Sequence, residues 1–203
     1  LIAAVSLVGD VVSTGKDSGI SLTTAGSFDV FANQMTKGTP TVTVKAATTP
    51  VAQTYIKGTN NAHVATFYFS ANTAEDVKIT SIRIVGDSST TNATSAFATA
   101  DILPASGYTS NVKIFDGSTQ VGSTQPTWTN GTNYDYVTFS GLALTISKGT
   151  TKSIDVKLDT SESTTTPIFV GFFTSTDVSG TGLSSGQTAT ITLEGGGIAG
   201  KVM

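Results

Sequence analysis

Gly182-Leu-Ser-Ser-Gly186 spells the G-x-S-x-G pattern in which a serine on a sharp strand-to-helix turn becomes a hydrolytic nucleophile. That chemistry needs a helix after the turn and a histidine further along to take the serine's proton. Here a β-prone run, Thr188 to Leu193, follows the motif, and the single histidine, His63, lies far upstream. The motif therefore reads as a turn. His63 has no second histidine to share a metal with, and its neighbours alternate as a strand does, so it reads as an ordinary strand residue. The carboxylates Asp87, Asp101, Asp116 and Asp135 fall one to a turn or strand end, without the D-x-[DN]-x-[DN]-G rhythm of a calcium loop. Asp159-Thr-Ser-Glu162 places Asp159 and Glu162 where they could offer oxygen ligands to a calcium ion at a joint between domains; a solvated turn is the simpler reading. The sequence offers no catalytic set and no other cofactor, and the expectation is a protein that is not an enzyme.

Binding chemistry has two candidate places. Trp128, Tyr134 and Tyr136 cluster around the polar run TWTNGTNY, and aromatic faces flanked by Asn and Asp can stack on sugar rings, with Trp128 and Tyr134 as the glycan contacts. The simpler reading, and the preferred one, is packing for Tyr136 and loop anchoring for Trp128. Asn92-Ala-Thr94 and Asn130-Gly-Thr132 are N-glycosylation acceptor triplets in expected loops, at Asn92 and Asn130.

Composition narrows the partners. Charged residues make up 12% of the 203, the net charge is −3, and the eleven Lys and Arg are scattered with Arg83 the single arginine. No basic patch can gather against a run of phosphates, which excludes nucleic acid as a partner. No run of 18 apolar residues exists, so no membrane-spanning helix is expected; the opening LIAAVSLVGDVV is too short for one and lacks a charged leader. There are no cysteines, which removes disulfides and thiolate chemistry. Low charge with abundant Thr, Ser and Gly points to the outside of the cell.

The elements that would position these residues are strands. Period-two alternation recurs at residues 41–45, 62–70, 76–85, 111–115, 136–139, 142–146, 153–158, 168–173 and 188–193. In DVKITSIRIV the inward set Val77, Ile79, Ile82 and Ile84 slips between 79 and 82, which predicts a bulge near Thr80-Ser81. Asp116-Gly117 is a two-residue hairpin signal, and Lys148-Gly149 separates two strands in the same manner. Residues 88–100 read as a loop with one helical turn near its end. Strands at this spacing without helices imply an all-β, two-sheet antiparallel sandwich with Greek-key wiring.

The series EDVKITSIRIVG, NVKIFDGSTQVGS, VTFSGLALTISKGTTKSIDVKLDT and FFTSTDVSGTG resembles the immunoglobulin-like repeats of large prokaryotic cell-surface and S-layer-type proteins, from Thr39 onward. The resemblance implies a structural role in stalks, layers, fibres or adhesive arms, with no shared active site.

One phrase is written twice. DVVSTGKDSG (10–19) and DVSGTGLSSG (177–186) share Asp10/Asp177, Val11/Val178, Thr14/Thr181, Gly15/Gly182, Ser18/Ser185 and Gly19/Gly186 at a constant offset of 167. Ten letters in so biased a chain are weak support, but the flanks agree: Leu1, Ala3 and Val5 alternate before the first copy as Ile168, Val170 and Phe172 do before the second. Residues 1–38 are thus expected to be a β arm, the closing strands of a preceding or neighbouring sandwich, and residues 39–203 an immunoglobulin-like sandwich. Leu1, Ala3, Val5 and Leu7 would be the self-assembly face of the arm, because an unpaired strand edge invites another chain. The alternative is a single sandwich that uses both hairpins internally. The functional expectation is a self-associating subunit or tandem repeat of an extracellular filament, pilus-like fibre or S-layer; the alternative is an adhesin or carbohydrate-binding surface module.

Overall fold

A computed structural model of the chain describes residues 4–5, 13–14, 16–22, 30–31, 38–88, 108–131, 134–161 and 168–194. The chain divides into two units, Leu1–Gly38 and Thr39–Met203. The expected loop and helical turn at 89–100 lie outside the described residues, as do Asn92, Glu162, Leu1, Ala3 and Leu7.

The first unit contains two short antiparallel ladders: β1 (Ala4–Val5) pairs β4 (Val30–Phe31), and β2 (Ser13–Thr14) pairs β3 (Ser21–Leu22). In the second unit the strands are β5 (Thr41–Ala46), β6 (Ala62–Ala71), β7 (Val77–Ser88), β8 (Thr109–Asp116), β9 (Thr119–Gln125), β10 (Asp135–Ile146), β11 (Thr151–Thr160), β12 (Ile168–Gly171), β13 (Val178–Gly182) and β14 (Thr190–Leu193).

These strands form an all-β sandwich of two sheets. The larger sheet has the order β14-β5-β6-β11-β8-β9 and is antiparallel except at β14, which lies parallel to β5. In the smaller sheet β7 is flanked by β10 on one side and by β12 and β13 on the other. β12 and β13 are one interrupted edge: Gly171 pairs Val85, Val178 pairs Ile82, and residues 172–177 loop out between them.

Alternating apolar side chains from both sheets interdigitate between them. Phe67 and Phe69 of β6 are fully buried against Phe172 in edge-to-face contacts, with ring centroids 4.7 and 6.0 Å apart. Truncating one such phenylalanine costs about 3–5 kcal/mol, because the cavity left behind collapses only partly. Val77, Ile79, Ile82 and Ile84 are all buried, as their spacing requires. The expected bulge is present: Ser179 pairs Ser81 while Gly180 pairs Ile79, which leaves Thr80 as the extra residue. A smaller apolar cluster, Val85 with Phe169, is covered by Tyr134 and Phe173.

Three expectations change. The larger sheet is mixed where the sequence predicts antiparallel sheets throughout, because β14 lies parallel to β5. Residues 136–139 and 142–146 belong to one strand, β10, whose register against β7 jumps between Ser140 and Leu144, so a bulge absorbs what the alternation reads as a break. Lys148-Gly149 does turn the chain, but not within a hairpin. β10 pairs β7 in the smaller sheet, whereas β11 pairs β6 and β8 in the larger one, so this turn carries the chain between sheets. The Asp116-Gly117 hairpin forms as expected, with Asp116 opposite Thr119.

Candidate functional site

The G-x-S-x-G segment shows what its residues do. β13 leaves the smaller sheet at Gly182, turns through Leu183, Ser184 and Ser185, and returns beside itself, with Thr181 opposite Thr188. Gly186 closes the turn at φ +65°, a left-handed conformation that glycine adopts without steric cost. The N–H groups of Ser184 and Ser185 both donate to Glu75 Oε2, at 2.8 and 2.9 Å. Glu75 is buried, and its carboxylate lies where a Cβ on residue 182 would have to go. A side chain at residue 182 would have to displace the Glu75 carboxylate from its two amides. The motif is therefore a backbone seat for a carboxylate, and Ser184 contributes its amide rather than a nucleophilic hydroxyl. From this turn the chain passes to β14 on the opposite sheet, so the hairpin staples the two sheets along one side.

The first-unit hairpin has the same construction at the same offset of 167. Thr14 pairs Ser21 as Thr181 bridges Thr188, residues 16–18 form the turn as 183–185 do, and Gly19 has φ +64°. Ser18 Oγ accepts the Ile20 N–H at 3.3 Å, and Ser185 Oγ accepts the Gln187 N–H at 3.1 Å. Strand pair, turn, glycine and serine cap all coincide.

The terminal strands of the sandwich are adjacent. β5 and β14 run parallel through four residue pairs, Thr190 opposite Thr41 to Leu193 opposite Val44. The Thr190 N–H donates to Pro40 O and the Glu194 N–H to Val44 O, both at 2.9 Å, and Lys45 Nζ reaches Glu194 Oε1 at 2.6 Å. Because the strands are parallel, the chain arrives at one end of this ladder and departs from the other.

Three polar constellations sit on the sandwich. On the larger sheet, His63 Nε2 lies 2.9 Å from Thr66 Oγ1 and 3.3 Å from Asp155 Oδ1, and the Thr66 hydroxyl donates to the same carboxylate at 2.6 Å. Residues three apart on a strand normally face opposite ways. Here the register shifts between Val156 opposite Ala65 and Lys157 opposite His63, so a bulge at Val64 turns both to one face. The Thr66 hydrogen is already committed to Asp155, which makes the group a cross-strand brace.

Asp159 is held in a second brace. Its Oδ1 accepts the Asn61 N–H at 2.8 Å, its Oδ2 accepts Asn111 Nδ2 at 2.9 Å, and Lys113 stands 3.8 Å away. Asn61 (φ 54°) and Asn111 (φ 51°) both take the left-handed conformation that asparagine tolerates better than most residues. Burial pushes the Asp159 carboxyl up, but the Asn61 and Asn111 hydrogen bonds and the Lys113 charge outweigh it and hold the carboxyl below its ordinary range. Both oxygens are thus engaged by donors with a cation alongside, as in a structural brace; Glu162, the other candidate ligand, lies outside the described residues. Among the described residues no three His, Asp or Glu side chains converge as a metal site requires.

The third constellation fixes the looped-out segment 172–177. Arg83 Nε donates to Asp177 Oδ1 at 2.6 Å, and its Nη2 contacts the same oxygen. Asp177 Oδ2 accepts the N–H groups of Phe173 and Thr174 at 2.7 and 2.8 Å. The guanidinium also lies 5.5 Å from the Tyr136 ring centre. The only arginine in the chain closes this loop.

Trp128 is not available to a sugar. It is 5% exposed, and its indole N–H donates to Thr109 Oγ1 at 2.9 Å, so it anchors the β9–β10 connection from inside the core. Tyr134 is half-buried, its ring 5.0 Å from that of Phe173. The pairing of Thr129 with Tyr136 locks this loop down instead of displaying an aromatic face. Asn130 is exposed. On the opposite side of the sandwich from the staple, β9 and β10 leave a shallow groove of about 350 Å³, with Asp116 and Lys152 at its rim.

No family model matches the chain, and neither a curated protein nor a solved structure matches it.

Proposed function

We propose that this chain is a structural subunit or repeat of an extracellular cell-surface assembly, a filament, pilus-like fibre or S-layer. In this reading immunoglobulin-like sandwiches with Greek-key wiring are joined head to tail through terminal β-strands, and the first unit supplies the closing strands of an adjacent sandwich. The single observation that carries it is the parallel β5–β14 pair. Tension applied through the incoming and outgoing connections pulls these strands in opposite directions along their length. Every hydrogen bond of the ladder is then loaded together, and none can open until several do. The two polar braces and the Arg83–Asp177 loop closure add rigidity of the kind a load-bearing unit needs and a catalyst does not. The carbohydrate-binding alternative uses Trp128 and Tyr134 as its contacts, and the Trp128 ring is buried.

Single-molecule stretching tests the mechanical role, and the absence of cysteines makes site-specific attachment simple. Handles at Gly38 and Glu194 load the ladder in shear, whereas handles at Gly38 and Gln187 peel it from one end. The shear geometry is expected to rupture at several times the force of the peeling geometry. Equal forces in the two geometries would remove the load-bearing role.

A further inference from the structure

The 177–189 hairpin does more than turn the chain: it seats a buried carboxylate on two successive backbone N–H groups, in the space that the missing side chain of Gly182 leaves open. The described part of that turn recurs in the first unit, and the sequence matches at the remaining positions. In sequence, Gly15 aligns with Gly182, and Asp17 and Ser18 with Ser184 and Ser185; in structure, Gly19 repeats the left-handed turn of Gly186 within one degree. The Ser18 cap on Ile20 repeats the Ser185 cap on Gln187. At the two positions where charges differ, Lys16 replaces Leu183 and Asp17 replaces Ser184, so the hairpin brings no net charge to an incoming carboxylate.

We propose that the residue 13–22 hairpin is a carboxylate-seating staple for another sandwich, and that its occupant is Glu75 of a second copy of this chain. There it exchanges with the resident 180–189 hairpin, placing β2 along the start of β7 as β13 is placed now. Exchange of an equivalent element between copies replaces each lost contact by a similar one, which makes it a low-cost route to association. The contact joins the first unit of one copy to the second unit of the next, so it is head-to-tail and extends a chain of copies. This inference rests on the reading of the first unit as closing strands and adds the chemical group it recognises.

The test uses the full chain. Three substitutions, Leu183→Lys, Ser184→Asp and Gln187→Ile, convert the resident turn into the first-unit turn. The variant is expected to melt within about 2 °C of the parent, and Glu75→Ala is expected to lower the melting temperature equally in both backgrounds. If Glu75→Ala has no effect in the converted chain, the first-unit turn does not seat a carboxylate and the proposal fails. For exchange between copies, Gly182→Ala weakens the resident hairpin and is expected to raise the associated fraction in light scattering several-fold. Adding Gly15→Ala is expected to reverse this. Association indifferent to Gly15→Ala, or a folded and monomeric Gly182→Ala chain, overturns the exchange. Either failure leaves the shear-loading result untouched, so the two readings fail separately.

Discussion

Glu75 and Gly182 show how one close approach can define a turn. A methyl group at Gly182 would collide with the carboxylate that two amides hold, so the cost of adding it is overpacking or loss of those two hydrogen bonds. Gly182→Ala is expected to destabilise the fold by about 1–3 kcal/mol, read from the midpoint of urea unfolding at unchanged slope. A neutral outcome would mean that the carboxylate can move aside freely. Asp159 makes a prediction in pH. Its pKa is lower folded than unfolded, so its brace contributes stability that is present above the unfolded value, about 3.9. That contribution fades as pH falls through the lower folded value. The acid limb of a stability–pH curve should therefore be shallower in Asp159→Asn below about pH 4. Superimposable limbs after scaling would show that the brace does not titrate with folding.

At the scale of elements, bulges decide which side chains meet. Alternation made the strands legible because a half-buried strand must place every second residue in the core. It foresaw Val77, Ile79, Ile82 and Ile84 inside and the slip at Thr80. It could not foresee that a bulge at Val64 would turn His63 and Thr66 to one face, or that the left-handed Asn111 would present its amide to Asp159. A bulge exchanges faces without changing composition, so its partners depend on strands distant in sequence. Glu75 was invisible for the same reason: nothing adjacent to it announces a hairpin more than a hundred residues later. Trp128 left two readings open, since a polar loop around an aromatic looks alike whether the ring points out or is drawn into the core; its burial matches the loop-anchoring one. The looped-out segment between β12 and β13 carries its own prediction. Asp177 is buried, pairs with Arg83 and accepts two backbone N–H groups, so Asp177→Asn should cost about 3 kcal/mol. Amide exchange is the check: protection should fall first at Phe173 and Thr174. Uniform loss across the sandwich would mean that the segment is not a separable element.

For the whole molecule, direction matters more than any single site. Parallel terminal strands, a staple joining both sheets, and a second hairpin of the same build at an offset of 167 are the features on which the proposed head-to-tail assembly rests. The longest strands have 12 residues, which at about 3.3 Å each gives a sandwich on the order of 40 Å long. The most direct test of a surface-structural role is electron microscopy of native cell-surface material, labelled with antibodies raised against residues 39–193. The expected result is label on an extracellular filament or layer at a regular spacing of at least about 40 Å. Label confined to the cell interior, or scattered over the surface without periodicity, would contradict it.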